Sequence, residues 1–183
     1  MSTVLFSPHN DDETLFAFYT MRRHEATLVV VLRSMRQELQ QRGPTYRMRE
    51  AETQCAVTIA GASGYVQWAH TDDAPDWHEI ERAITGYLAF AKPDVVIAPA
   101  WEEGGHEDHN GLAIIFDTLV MQAELVRYLT YKRGHGRSED GIEVVPSPAE
   151  KAAKMAALRC YRSQRAHPQT APWFGPDQRE FIR

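Results

Sequence analysis

Thr3-Val4-Leu5-Phe6-Ser7-Pro8-His9-Asn10-Asp11-Asp12-Glu13 runs from a short apolar stretch into a polar turn with a proline, and the helical pattern Leu15, Phe16, Phe18, Tyr19 follows at once. A strand that ends in such a turn and opens a helix is where an open α/β sheet puts its binding crevice, at the carboxyl ends of the strands. Between His9 and Asp12 the turn offers one imidazole and two carboxylates, more ionisable groups than a bare connection needs. Two readings compete for it. In one, Asp11 or Asp12 caps the helix and the other acids decorate its positive end. In the other, the turn is a chemical site.

A second cluster favours the chemical site. Gly104-Gly105-His106-Glu107-Asp108-His109-Asn110-Gly111 again follows a strand-like run, Asp94-Val95-Val96-Ile97-Ala98-Pro99. Two such turns can meet at one crevice, where one brings His plus Asp and the other His-x-Asp-His.

Working outward, Ala26 to Leu32 is a continuous β-branched apolar run, the mark of a strand covered on both faces in a mostly parallel sheet. Residues 33–44 are polar, end in Arg42-Gly43-Pro44 and read as a loop over the crevice that carries substrate contacts. The pattern predicts a helix from about Tyr46 to Ala60, stopped by Gly61, with Ala51, Cys55, Ala56 and Ile59 on one face. A short strand over Tyr65–Trp68 and a capping loop at Thr71–Asp76 lead to a helix over Trp77–Ala91, with Ile80, Ile84, Leu88 and Ala91 inward. Asp108 to about Leu125 reads as a helix, Val126–Tyr131 as a strand, Lys132–Gly141 as a flexible surface turn and Ile142–Val145 as a strand. Ser147-Pro148-Ala149-Glu150 is an N-cap, an N1 proline and a capping-box acid opening a last helix to about Tyr161. The tail from Ser163, with Pro168, Pro172 and Pro176, is expected to be irregular but packed through Trp173, Phe174 and Phe181. Strands alternating with helices make the fold class α/β, a Rossmann-like three-layer sandwich around a mostly parallel sheet.

Composition narrows the function classes. A chain of 183 residues, 43% hydrophobic, is long enough for one domain with a sizeable core and short for two, so residues 1–183 are read as a single domain. The net charge of −5, without a long basic run, gives no footprint for nucleic acid or an anionic membrane, and a small polar substrate fits better. No basic leader or span of about 18 apolar residues appears, which points to the cytoplasm. A homo-oligomer is compatible with all of this. Cys55 and Cys160 lack C-x-x-C spacing, which argues against a disulfide framework or a thiolate zinc site and favours buried, inert thiols.

If His9, Asp12 and His109 converge, they give a divalent ion three ligands and leave a fourth position for water, the pattern of catalytic rather than structural zinc. Zinc is the physical default, and Fe2+ or another divalent metal is accepted by similar ligands. Asp11, beside Asp12 on a tight turn, is the candidate general base and afterwards the acid for a departing amine. His106, near the ion without binding it, can as an imidazolium stabilise an oxyanion, with Asp108 orienting it and raising its pKa. The blander readings are that Asp108 is only the N-cap of its helix and that Glu13 merely sits well in a first turn. His24, His70, His78, His135 and His167 read as exposed loop histidines. Trp68, Trp77 and Trp101 can stack on a sugar face, with core packing favoured for the first two.

His9-Asn10-Asp11-Asp12-Glu13 and His106-Glu107-Asp108-His109 resemble, in this order and spacing, the paired motifs of the PIG-L/LmbE-like de-N-acetylases, zinc-dependent enzymes acting on N-acetylglucosamine-containing substrates. Arg49-x-x-Glu52 with Ala56 and Gly61, Pro93-Asp94-Val95-Val96 and Tyr161-Arg162-Ser163-Gln164 are similar to further stretches of that family. The resemblance implies His9, Asp12 and His109 as metal ligands, Asp11 as base and His106 as oxyanion stabiliser with Asp108 behind it. It also implies Arg49 and Asp72 or Asp73 as sugar contacts. Three departures stand out: Asn10 replaces a proline and should loosen the turn without removing a ligand, little sequence lies between the second motif and the last helix, and Trp101-Glu102-Glu103 ahead of Gly104-Gly105 is not a pattern that maps onto a substrate. Hydrolysis of another amide, or a non-catalytic metal- or ligand-binding module, are the alternatives, and the intact Asp11 disfavours the module.

Overall fold

Every residue of β1 (Thr3–Ser7) is buried, as the apolar run requires of a strand with neighbours on both sides and helices on both faces. In this computed structural model, which describes residues 1–35, 45–132, 136–166, 170–175 and 179–183, β1 is the middle of the sheet. It pairs in parallel with β2 (Thr27–Arg33) on one side and with β4 (Val95–Pro99) on the other. β3 (Gly64–Thr71) continues beyond β2, and β5 (Glu124–Tyr128) continues beyond β4, all parallel. Two short antiparallel strands, β8 (Ile142–Glu143) and β9 (Phe181–Ile182), complete the seven-stranded order β3-β2-β1-β4-β5-β9-β8. Chain order reverses direction at β1, so the turns after β1 and β4 leave the same edge side by side.

Alternation along the strands builds two cores. Leu5, Leu28, Val30, Val95 and Ile97 face α1 (Asp12–Phe16), α2 (Phe18–Arg23), α3 (Tyr46–Ala60) and α6 (Pro148–Leu158). Val4, Phe6, Val29, Val31 and Val96 face α4 (Trp77–Ala91) and α5 (Glu107–Thr118). The three-layer α/β architecture read from the sequence is thus the one found. The local signals hold as well: Gly61 ends α3 at φ 74°, Asp76 caps α4 by accepting from His78 N and Glu79 N, and the Ser147/Glu150 capping box opens α6.

Several expectations fail for identifiable reasons. The buried face of α3 carries Arg49, Thr53, Ala56, Val57 and Ala60, whereas Ala51 and Cys55 are exposed. Polar residues that serve the crevice interrupt the apolar stripe on which the helical phase was read. α5 stops at Thr118 instead of about Leu125, because Leu119 turns extended and the chain from Glu124 pairs with Val95. An apolar run of this kind suits helix and strand alike, and the free parallel edge of β4 decides. The segment after β5 is not simply a turn: β6 (Tyr131–Lys132) and β7 (Gly136–Arg137) pair antiparallel. The tail is more regular than its prolines suggest, with α7 (Arg162–Ala166), a 3-10 turn at Ala171–Phe174 and β9. Most of the crevice loop, including Arg42-Gly43-Pro44, lies outside the described residues, as do His135, His167, Pro168 and Pro176.

The cysteines are neither free nor buried. Cys55 on α3 and Cys160 just after α6 form a disulfide with a Cα–Cα distance of 5.9 Å. The two helices pack against each other, a juxtaposition invisible in a pair of thiols 105 residues apart. Disulfides are rare in reducing cytosol, so the bridge weighs against the cytoplasmic expectation. No helix among the described residues is long and apolar enough to cross a membrane. Closing so long a loop constrains the unfolded chain, and Cys160→Ser is expected to lower stability by about 2–4 kcal/mol in urea unfolding without reductant. Thiol titration of the denatured wild type should find none before reduction and both after it. Free thiols before reduction would remove the bridge from the fold.

Candidate active site

The turn after β1 is held in a conformation that most side chains avoid. Asp11 has φ 133°, and a residue in such a region costs about 1–3 kcal/mol and persists only where its surroundings over-determine it. Here they do. The Asp11 carbonyl accepts from Thr14 N at 2.9 Å and Leu15 N at 2.8 Å, while its own N–H donates to Glu13 Oε2 at 3.0 Å. Glu13 is fully buried and also accepts from the hydroxyls of Thr14, at 2.8 Å, and Tyr161. It therefore does more than sit in a first helical turn: it clamps the turn. Asn10 does not loosen the turn either. Its buried amide donates to Gln67 Oε1 at 2.8 Å, Thr53 Oγ1 at 3.2 Å and the Tyr65 hydroxyl at 3.3 Å, tying the turn to α3 and β3.

The turn after β4 needs its glycines. Gly104 has φ 72°, and a Cβ on Gly105 would lie 2.9 Å from the Glu102 carbonyl. α5 then begins with His106, not Asp108, as N-cap: His106 Nδ1 accepts from Asp108 N at 3.2 Å. The Asp108 carboxylate reaches across the crevice to His9 Nε2 at 2.9 Å and stands 3.6 Å from His106 Nδ1. Asp108 thus orients His9 more directly than His106, contrary to expectation.

Both turns meet on one oxygen. Asp12 Oδ2 lies 3.1 Å from His9 Nδ1 and 3.1 Å from His109 Nε2, and also accepts from His9 N at 3.1 Å. Ligand atoms held about 2.0–2.1 Å from a tetrahedral zinc stand about 3.4 Å apart, close to the two Asp12–imidazole distances, and all three ligand atoms lie within 4.8 Å of one another. His9, His106 and Asp108 form a second cluster of ligand-type atoms that shares His9.

Charge in the cluster follows from burial and neighbours. Burial pushes the Asp11 carboxyl up to about 7 against the opposing pull of Arg49, whose guanidinium lies 2.9 Å away. Burial also disfavours an ionised Asp12, but His109 and His9 outweigh it and hold Asp12 well below the usual carboxylate range. Burial favours neutral His9, yet its hydrogen bonds to Asp108 and Asp12 prevail and raise it to about 10. His106 goes the other way, down to about 4, through burial and then His9 and His109. These influences favour a neutral ring at His106 over the expected imidazolium. With Nδ1 accepting from Asp108 N, its proton sits on Nε2.

His9, Asp11, Asp12, His106 and Asp108 line a cleft of about 760 Å3, its open mouth included, with His109 buried behind them. Arg49 lies in it, bonded to Asp11 and to the Asn10 carbonyl, so its guanidinium first serves the turn. Asp72 lies at the cleft too, where it accepts from Met35 N at 2.8 Å. Gln164 lines the cleft, and its neighbour Ser163 donates to Glu52 from N at 2.8 Å and Oγ at 2.6 Å. Trp101 is 48% exposed and outside the cleft. Trp68 packs on Phe6, and Trp77 covers Gly111, where a Cβ would come within 2.5 Å of its ring. His24 and His70 are half-buried, not exposed, His78 is exposed, and all three lie outside the cleft.

Sequence reasoning missed the aromatic wall. Tyr131 of β6 and Trp173 from the tail pack at a 40° tilt with ring centres 4.9 Å apart, and Tyr131 lies 5.3 Å from the His109 ring. No local signal marks Tyr131, and Trp173 was read only as packing. Glu102 and Thr130, behind His109, were missed as well.

The three-layer α/β fold carries a His/Asp site suited to a metal, and the family match makes the protein a hydrolase of the deacetylase class. The chain belongs to the PIG-L family, described as GlcNAc-PI de-N-acetylase, whose sequence profile matches residues 4–123. A comparison with curated protein sequences finds no match. Among solved structures, a triple-mutant deacetylase of the teicoplanin biosynthetic pathway has a TM-score of 0.73 at 18% identity, covering 94% of this chain and 88% of its own. The N,N'-diacetylchitobiose deacetylase of Pyrococcus horikoshii has a TM-score of 0.70 at 15% identity, covering 100% and 82%. The 4-carboxy-2-hydroxymuconate hydratase of Pseudomonas putida KT2440 has a TM-score of 0.68 at 16% identity, covering 95% and 83%. At these identities the likeness shows a shared architecture, and the hydratase's name shows that the architecture is not tied to one reaction.

The Glu13 clamp has a measurable consequence. Glu13→Ala removes the acceptor for Asp11 N and for the Tyr161 hydroxyl and is expected to cost about 1–3 kcal/mol per buried partner left unsatisfied. Urea unfolding measures it, and a loss below about 0.5 kcal/mol, as at an ordinary surface site, would show that the clamp does not hold the turn.

Proposed function

We propose that the chain, as a single domain, is a zinc-dependent hydrolase that removes the N-acetyl group from an N-acetylglucosamine-type sugar or sugar conjugate. The observation that carries the reading is Asp12 Oδ2 lying 3.1 Å from an imidazole of each motif, with Asp11 beside it in a strained, clamped conformation. His9, Asp12 and His109 would hold the ion. When bound, a divalent cation there polarises the acetamide carbonyl and makes a water acidic enough to be deprotonated near neutrality. Zinc is the default for two imidazoles and a carboxylate, and iron(II) suits the same ligands.

Asp11 takes the proton of the attacking water and delivers it to the departing amine, so that amide and water become acetate and free amine. A carboxyl pushed up to about 7 is matched to that double task at neutral pH. Arg49 fixes the Asp11 carboxylate at 2.9 Å. The His106 Nε2–H, on a neutral ring, donates to the oxyanion of the tetrahedral intermediate. Asp108 keeps His9 in place. Asp72 contacts sugar hydroxyls, and a net charge of −5 favours such a small substrate over a nucleic acid.

Acetate release from a panel of N-acetylated amino sugars tests the proposal. The wild type is expected to hold about one metal ion per chain and to release acetate, with loss on chelation. Asp11→Asn should keep the metal and lose about 10²–10⁴-fold in kcat. A metal-loaded wild type that releases acetate from none of the sugars would overturn the reading in favour of another amide or a binding role.

A further inference from the structure

We infer that Glu102 is a positioning residue for the ion site and acts on His109 through the hydroxyl of Thr130, an inference that rests on His109 being a metal ligand. Glu102 belongs to Trp101-Glu102-Glu103, the stretch that neither motif accounts for, and it is 3% exposed. Its backbone is locked to α5, the helix that carries His109: Glu102 N donates to Asn110 Oδ1 at 2.9 Å and Asn110 Nδ2 donates to the Glu102 carbonyl at 2.8 Å. Its carboxylate Oε2 accepts from Thr130 N at 2.8 Å and from Thr130 Oγ1 at 2.9 Å. Thr130 Oγ1 stands 3.1 Å from His109 Nδ1.

Proton counting sets the direction of this chain. A threonine hydroxyl has one proton. Spent on Glu102, it leaves Oγ1 able only to accept from His109, so Nδ1 carries the imidazole proton and the lone pair of Nε2 faces Asp12 Oδ2 at 3.1 Å, a pairing that a cation between the two atoms would satisfy. The reverse arrangement, with the hydroxyl donating to His109, would set lone pairs of Thr130 Oγ1 and Glu102 Oε2 against each other at 2.9 Å. Glu102 therefore selects the ring tautomer that can bind a metal and, as the acceptor behind the hydroxyl, makes the ring a stronger donor. Glu102 Oε1 has no hydrogen-bond partner among the described residues, an expense that stability alone does not explain.

Zinc affinity of the full chain, read by competition with a chromophoric chelator, tests the inference. Thr130→Val and Glu102→Met are each expected to weaken zinc binding about 10–100-fold, and Thr130→Ser to stay within about threefold of wild type. Because the carboxylate acts through the hydroxyl, the double variant Glu102→Met/Thr130→Val should lose no more than Thr130→Val alone. Losses that multiply in the double variant, or a Thr130→Val that binds zinc as the wild type does, would overturn the inference. Should Glu102→Met not fold, the contrast between Thr130→Val and Thr130→Ser decides. His109→Ala separates the two levels. If it binds zinc normally, the ligand reading itself fails; if it loses zinc while Thr130→Val and Glu102→Met keep it, only the positioning role fails.

Discussion

One carboxylate oxygen, Asp12 Oδ2, sits where two imidazoles from turns 97 residues apart arrive at the same distance. That meeting depends on strand pairing more than on the turns. β1 and β4 are adjacent and parallel, with Thr3 opposite Val95 and Leu5 opposite Ile97, so their carboxyl ends stop at the same level. A slip of one residue would send every β4 side chain to the opposite core and carry the His109 turn with it. The two apolar clusters on either face penalise that slip, since Val96 and Ile97 each fit only one of them.

The cluster is costly to assemble because nearly all of it is buried. Asp11, Asp12, Glu13, Asp108 and His109 are each at most 8% exposed. Charged and polar groups in such a place destabilise unless every one is satisfied. The structure answers with layers: Asp108 on His9, Thr130 on His109, Arg49 on Asp11, Glu13 on the Asp11 backbone and Tyr161 on Glu13. The layers come from several elements, so the site's support is spread over most of the fold.

This explains what the sequence could and could not reveal. The two turns were legible because strand, turn and helix signals coincide with dense ionisable residues, and caps such as Asp76 and Ser147 carry their mechanism in a few neighbouring residues. What was illegible is non-local. Arg49 and Thr53 spoil the apolar phase of α3 because they are buried for the crevice, not for the core. The Cys55–Cys160 bridge follows from the packing of α3 on α6. Glu102 had no reading because its partner, Thr130, is supplied by the chain just beyond β5. The placing of Asp108 differs for a similar reason: its carboxylate stands nearer to His9, at 2.9 Å, than to the His106 ring two residues before it, at 3.6 Å.

Floor and wall of the cleft have different physical origins, and that separation bears on how chemistry and substrate choice are divided. The floor stands on central strands with cores on both sides, which suits groups that must be held to within fractions of an ångström. The wall comes from short pieces, Tyr131 on a two-residue strand and Trp173 on a single 3-10 turn. The tail carrying Trp173 returns to the body at Glu180, whose carboxylate accepts from Tyr19 N and pairs with the fully buried Lys154 at 2.6 Å. Lys154 in turn donates to the Leu15 carbonyl, at the end of the helix that Asp12 begins. A chain with little sequence between its second motif and its last helix thus closes its pocket with its own C-terminal segment. Variation there can reshape the side of the cleft a substrate meets while leaving the Asp12 junction intact.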